Sequence, residues 1–319
     1  MALSDPYDVY LQAPVAGGTL RVARAGRPPE EAENVVLAVH GITSSLMAWR
    51  TVARDVTGRL DVCLLAPDLR GRGGSARLPG PYGFATHTTD LLAVLDHAGV
   101  ERAVLVGHSM GAYAVARLAA EHPERAAAVV LVDGGMPYPD APEGDPDTVV
   151  EQVAAPLTER LYTTFASVDA YADHWVAHPA FKDAWDDDVE AYAQYDVEGE
   201  PGSMRCVVSA SSVTTDLREF LFDEATRTAL DRVRAPIHVV RASRGLLDEP
   251  DKPLIPTDFL TDFAAKRLDA SVECVPKANH YTVVLGTGDG PLVVAGAIER
   301  ALHQTGSEVS PSAAIERSV

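Results

Sequence analysis

Short runs of apolar residues alternate with amphipathic stretches along the first half of the chain. The runs at 35–39, 62–66, 103–106 and 127–132 are rich in β-branched residues or leucine and nearly unbroken in apolarity. Strands buried on both faces read this way, because helices covering a parallel sheet leave neither face to water. Between them, 46–56, 89–98 and 110–121 show helical spacing, the last stopping before Pro123. This strand–helix rhythm predicts an α/β fold with a doubly wound, mostly parallel sheet and right-handed crossovers. Gly17-Gly18, between 7–12 and 19–23, predicts an antiparallel hairpin on the sheet edge.

The rhythm breaks after Gly135. From 136 to 230 no βα unit is legible, and helical stretches are punctuated by Pro, Gly and Asp. This segment holds 11 of the 20 aromatic residues in under a third of the length, so large side chains are concentrated there for a reason. A small helical unit needs them to build any core, and a lid would use the same rings to wall an apolar pocket. Alternation then resumes with a strand at 237–240, a helix near 256–266, a strand at 271–275 and a helix at 291–303. The expected organisation is a core of 1–135 and 231–305, a helical cap of 136–230 inserted after the sixth strand, and a flexible tail of 306–319.

Composition narrows the function. Apolar residues make up 46% and charged residues 23%, enough apolar material for a sizeable core. Asp and Glu number 46 against 27 Lys and Arg, a formal charge of −19, which disfavours nucleic acid and anionic membrane surfaces. Cys63, Cys206 and Cys274 are scattered and odd in number, so neither a disulfide framework nor a cysteine metal site is expected. The first residues lack a signal-peptide pattern, and no apolar run has the length of a membrane span. The expectation is a cytoplasmic protein acting on a small molecule, its oligomeric state left open.

The strongest chemical signal is Gly107-His108-Ser109-Met110-Gly111, a G-x-S-x-G directly after a strand and directly before a helix. A serine on that tight turn is pushed clear of the sheet, and the following helix aims free N–H groups at any oxyanion formed there. Serine needs a base, and ten histidines are available. His108 reads as packing, His40 as shaping a loop, His238 as a strand residue, and His87, His97, His122 and His303 as solvated. His280 follows a strand by the short loop Lys277-Ala278-Asn279, at the carboxyl edge where open parallel sheets build their sites. The third member is a carboxylate: Asp133 ends a strand before Gly134-Gly135, Asp248 lies in the loop after 237–240, and Asp251 is a weaker third.

Other signals carry less. Gly71-Arg72-Gly73-Gly74 is followed by Pro79-Gly80-Pro81 and not by a helix, so the anion-binding N-terminus of a phosphate loop is missing. His174 and His178 have metal-ligand spacing without a third ligand, so no metal is expected. Asp186-Asp187-Asp188 with Glu190 reads as a solvated face.

From about residue 17 to 303 the chain resembles the α/β-hydrolase family, of the type with a helical cap. The likeness rests on His40-Gly41-Ile42, on Pro67-Asp68-Leu69-Arg70-Gly71-Arg72-Gly73-Gly74-Ser75, on the Gly107-to-Gly111 motif, on Val132-Asp133-Gly134-Gly135 and on Asn279-His280-Tyr281. The resemblance implies an oxyanion hole from the N–H groups of Ile42 and Met110. The family's usual acid position, after the seventh strand, falls here near Arg244-Gly245, and Asp248 would need a longer loop; some relatives take the acid from the end of the sixth strand, where Asp133 stands. Asp133 is therefore favoured, with Asp248 as the alternative. His40, Trp175 and Tyr281 are placed at the substrate pocket. The implied activity is cofactor-free hydrolysis of an ester, thioester or lactone, or of a carbon–carbon bond beside a ketone. A lyase or transferase on the same scaffold and a ligand-binding protein without turnover are the alternatives. A serine at the turn argues against relatives whose aspartate forms an ester intermediate there.

Overall fold

The computed structural model describes residues 5–137 and 141–306. The hairpin is β1 (Val9–Val15) and β2 (Gly18–Gly26), followed by β3 (Asn34–Val39). A 3-10 turn (Leu46–Trp49) leads into α1 (Arg50–Arg59), then β4 (Val62–Pro67), α2 (Phe84–His97), β5 (Ala103–His108), α3 (Met110–Glu121) and β6 (Ala126–Val132). After β6 come α4 (Pro146–Tyr162), α5 (Val168–Val176), α6 (Asp187–Tyr195), the short pair β7 (Val197–Glu198) and β8 (Arg205–Cys206), α7 (Ala210–Phe222) and α8 (Glu224–Arg227). The chain then returns through β9 (Ile237–Ala242), α9 (Thr257–Lys266), β10 (Ser271–Val275) and α10 (Asp289–Gly306).

Eight strands form one sheet in the order β1-β2-β4-β3-β5-β6-β9-β10, parallel from β4 to β10 with the antiparallel hairpin on one edge. The order reverses between β3 and β5, and open α/β sheets place their ligands at the carboxyl side of such a switch point. Two apolar clusters fill the space on either side of the sheet, one built with α1 and α10, the other with α2, α3 and α9. The predicted strands fall inside the observed ones except the first of the hairpin, expected at 7–12 and found at Val9–Val15. Helices begin earlier or later than expected: 89–98 takes in only the later part of α2 and runs one residue past its end, and 291–303 lies within α10, which continues to Gly306. The rest of the expected tail lies outside the described residues.

The segment between β6 and β9 forms the helical cap, with β7 and β8 as a two-stranded element that apolar periodicity could not reveal in two residues each. It is fastened by buried polar groups. Asp188, expected on a solvated face, is 1% exposed. Its carboxylate accepts from Arg50 Nε at 2.9 Å, Thr51 Oγ1 at 2.7 Å and Arg54 Nη1 at 2.8 Å. Asp216 on α7 is fully buried between Arg72 (2.5 Å) and His87 (3.0 Å). His87, expected in solvent, is thus a buried partner of the cap.

Burial acts to raise both carboxyls, but charge and hydrogen bonds prevail: Arg72 and His87 bring Asp216 to about 2, and Arg54, Thr51 and Arg50 bring Asp188 to about 2. Both lie below the ordinary 3.8, so their stabilising contribution is present above about pH 4 and is lost as pH falls through 2. The urea midpoint is expected to drop between pH 5 and pH 2.5. In Asp216→Asn the drop is shallower, starting from a lower stability at pH 5; an unchanged slope would exclude Asp216 as a linked group.

Candidate active site

Ser109 is the single residue between the end of β5 and the start of α3, held at φ 55° and ψ −120°. A non-glycine residue there carries strain that its surroundings must hold in place. Ser109 N–H donates to the Val132 carbonyl at 2.9 Å, tying the turn to the end of β6. Close approach does the rest. A Cβ at Gly107 would stand 2.3 Å from the Gly111 carbonyl oxygen, and one at Gly111 would stand 2.2 Å from that of Val39. Gly111→Ala is accordingly expected to cost about 3 kcal/mol, the upper end of overpacking penalties, with backbone as the obstacle. A urea denaturation midpoint within error of wild type would show that α3 can shift away from β3 freely.

Asp133 follows β6 with φ 44°. Its Oδ2 lies 2.7 Å from His280 Nδ1, and its Oδ1 accepts the Ala242 N–H at 3.1 Å. A carboxylate only accepts, so Nδ1 carries a proton, and in the neutral ring Nε2 is the nitrogen with the lone pair. Asp133 is 1% and His280 5% exposed, so water does not compete strongly for the pair. Gly134 lets this loop lie against the serine turn, since a Cβ there would be 2.4 Å from the Ser109 carbonyl oxygen.

Asp248 sits one hydrogen bond away from the histidine loop. Its Oδ1 accepts from Asn279 Nδ2 at 3.1 Å and pairs with Arg244 Nε at 2.8 Å. Asn279 is 2% exposed; it also donates to the Ala180 carbonyl and accepts the N–H groups of Tyr281 and Thr282. His108 Nε2 donates to the His280 carbonyl at 2.8 Å, so it tethers that loop as well as packing. Burial, with His280 beside it, holds the His108 ring well below the ordinary histidine range and keeps it neutral.

Met110 opens α3, so its N–H has no acceptor within the helix. Ile42 follows β3 and lines the same cavity as Met110, Ser109 and His280. This cavity has a volume of about 220 Å³. Its walls come from α4 (Val153, Leu157), α6 (Tyr192) and α7 (Leu217, Phe220) above, and from Leu254, Ile255 and Val284 of the core. Tyr281 lines it, but His40 and Trp175 do not. His40 is fully buried below: its Nε2 accepts the Leu69 N–H at 2.9 Å, so Nδ1 carries the proton and donates to the Gly41 carbonyl at 2.8 Å. Burial lowers its pKa to about 3, which fixes this neutral form. Trp175 packs among Phe181, Tyr192 and Tyr281 and under Arg160. His174 meets Phe165 edge to face, and His178 accepts from Ala180 N–H while meeting Tyr281 edge to face, so both serve packing. Arg72, read from sequence only within a glycine-rich loop, reaches the Ile42 carbonyl, and no local pattern announces that.

Comparison with known proteins agrees with this architecture. A family model described as the alpha/beta hydrolase fold matches residues 34–171. Epoxide hydrolase A of Mycobacterium tuberculosis is 39% identical over 120 residues, 36% of this chain and 35% of its own length. The chain thus spans about a third of that relative. RutD of Caulobacter sp. strain K31, which carries a carbamate hydrolase name, is 28% identical over 81% of this chain and 88% of its own. Among solved structures, E-2-(acetamidomethylene)succinate hydrolase superposes with a TM-score of 0.73 at 21% identity, covering 92% of this chain and 99% of that one. Among the described residues no helix is long and apolar enough to cross a membrane.

Proposed function

We propose that this chain, which has the alpha/beta hydrolase fold, is a serine hydrolase of a small, uncharged carboxylic ester, thioester or lactone. The observation that carries the reading is the convergence of Ser109, His280 and Asp133 on one cavity, with His280 Nδ1 2.7 Å from Asp133. With that proton held by Asp133, His280 Nε2 is free to take the proton of Ser109 as its Oγ attacks the carbonyl. Ile42 and Met110 N–H groups receive the oxyanion, and the leaving alcohol, thiol or ring oxygen takes the proton back from His280. Water, activated by the same imidazole, then releases the acid and restores the serine.

The lining supports an uncharged substrate. No Lys or Arg faces the cavity among the described residues, and its walls are mainly aliphatic and aromatic side chains, three tyrosines among them. A buried carboxylate on the substrate would lack a partner there. The serine also separates this site from relatives that use an aspartate at the same turn, whatever the name of the epoxide hydrolase it matches. The test is turnover of short neutral esters and lactones in ¹⁸O-labelled water. One labelled oxygen in the acid product supports hydrolysis; product without label points to a lyase or transferase instead.

A further inference from the structure

The loop that would supply the oxyanion donor has three successive carbonyls, and each has a buried partner. The Gly41 oxygen takes His40 Nδ1–H at 2.8 Å, the Ile42 oxygen takes Arg72 Nε–H at 2.9 Å, and the Thr43 oxygen takes Arg160 Nη2–H at 2.8 Å. A peptide unit is planar, with C=O and N–H pointing opposite ways. Anchoring the Gly41 oxygen sets the peptide that carries the Ile42 N–H, and anchoring the Ile42 and Thr43 oxygens fixes the next two peptides, so the loop cannot turn about Ile42 and let that N–H swing.

One anchor belongs to the core, but the two guanidinium groups answer to the cap. Arg160 is a residue of α4, and its other nitrogen bonds Asp196, just past α6, at 2.6 Å and Tyr171 of α5 at 2.6 Å. Its guanidinium carbon lies 5.0 Å from the Trp175 ring centre. Arg72 is a core residue held by Asp216 of α7, whose second oxygen accepts the Gly83 N–H at 2.8 Å. Arg72 and Asp216 are both fully buried, so their ion pair is poorly screened by solvent. A separate latch, Asp188 with Arg50 and Arg54, joins α6 to α1.

We propose that Arg72 and Arg160 are positioning residues through which the cap sets the aim of the oxyanion loop. The proposal rests on the serine-hydrolase reading of Ser109. It predicts that these arginines act on the transition state, where the oxyanion exists, and little on substrate binding.

The experiment compares Arg160→Lys, Arg72→Lys and Asp216→Asn with Arg54→Gln. Lysine keeps the charge but not the planar fork that joins a carbonyl to a carboxylate. Asp216→Asn loosens Arg72 while leaving the arginine in place. Arg54→Gln weakens the other latch and so reports what cap adhesion alone does. For each, kcat and KM on a short neutral ester, the rate of fluorophosphonate labelling and the melting temperature are measured. The first three are expected to lose roughly 10- to 100-fold in kcat and in labelling rate, with KM within about twofold, as misaimed catalytic groups do. Arg54→Gln is expected to melt lower with kcat and labelling unchanged. Wild-type kcat and labelling in the first three, or losses in all four that follow melting temperature, would overturn the proposal while the hydrolase reading stands. Labelling of wild type that persists in Ser109→Ala would defeat that reading and the proposal with it.

Discussion

Ser109→Ala is expected to lower kcat by a factor on the order of 10⁶, as loss of a nucleophile does when the rest of its triad is intact. Stability should hardly change. Ser109 is held by its backbone, through the Val132 carbonyl and the glycines around it, and alanine inherits the same φ of 55° without adding volume. The residual rate would come from the oxyanion loop and from binding. Parallel measurement of turnover and urea midpoint separates the two effects. A fall in stability comparable to that of Gly111→Ala would mean the hydroxyl is structural.

The second large effect distinguishes the two acids. Asp133→Asn is expected to cost about 10⁴ in kcat, because an amide that donates toward Nδ1 favours the wrong imidazole tautomer. Asp248→Asn should cost far less. Asparagine at 248 still offers an oxygen to Asn279 Nδ2, and what it loses is the ion pair with Arg244, which is partly open to solvent. The two variants assayed side by side, with pH profiles, decide the matter. Equal and mild losses would exclude Asp133 as the orienting acid, and a large loss confined to Asp248→Asn would place the acid in the loop after β9.

The centre of the sheet was legible because β3, β4, β5, β6 and β9 are short apolar runs buried on both faces, a pattern that needs no tertiary information. Ser109 and His280 were legible for a related reason: each stands at a strand's carboxyl end, in a stretch whose local turn chemistry is written in its neighbours. The choice between Asp133 and Asp248 is harder to read, since both follow strands and only the spatial path of the loop puts one of them on His280 Nδ1. Long-range polar pairs were out of reach. Nothing near Asp188 in the sequence points to Arg50 and Arg54, 138 and 134 residues away, so an acidic run reads as a solvated surface. His87 and Arg72 are hidden in the same way, because their partner Asp216 comes from the cap. His40 reads from its place after a strand as shaping a loop, and its ring does turn inward to hold two backbone groups, so it does not line the pocket at which it is also placed.

Whether Ser109 is an activated nucleophile is read from intact mass after incubation with a fluorophosphonate. One covalent adduct is expected on the wild-type chain, carried by Ser109 and absent from Ser109→Ala. An adduct that persists in the variant, or none on a wild type that turns over esters, would contradict it.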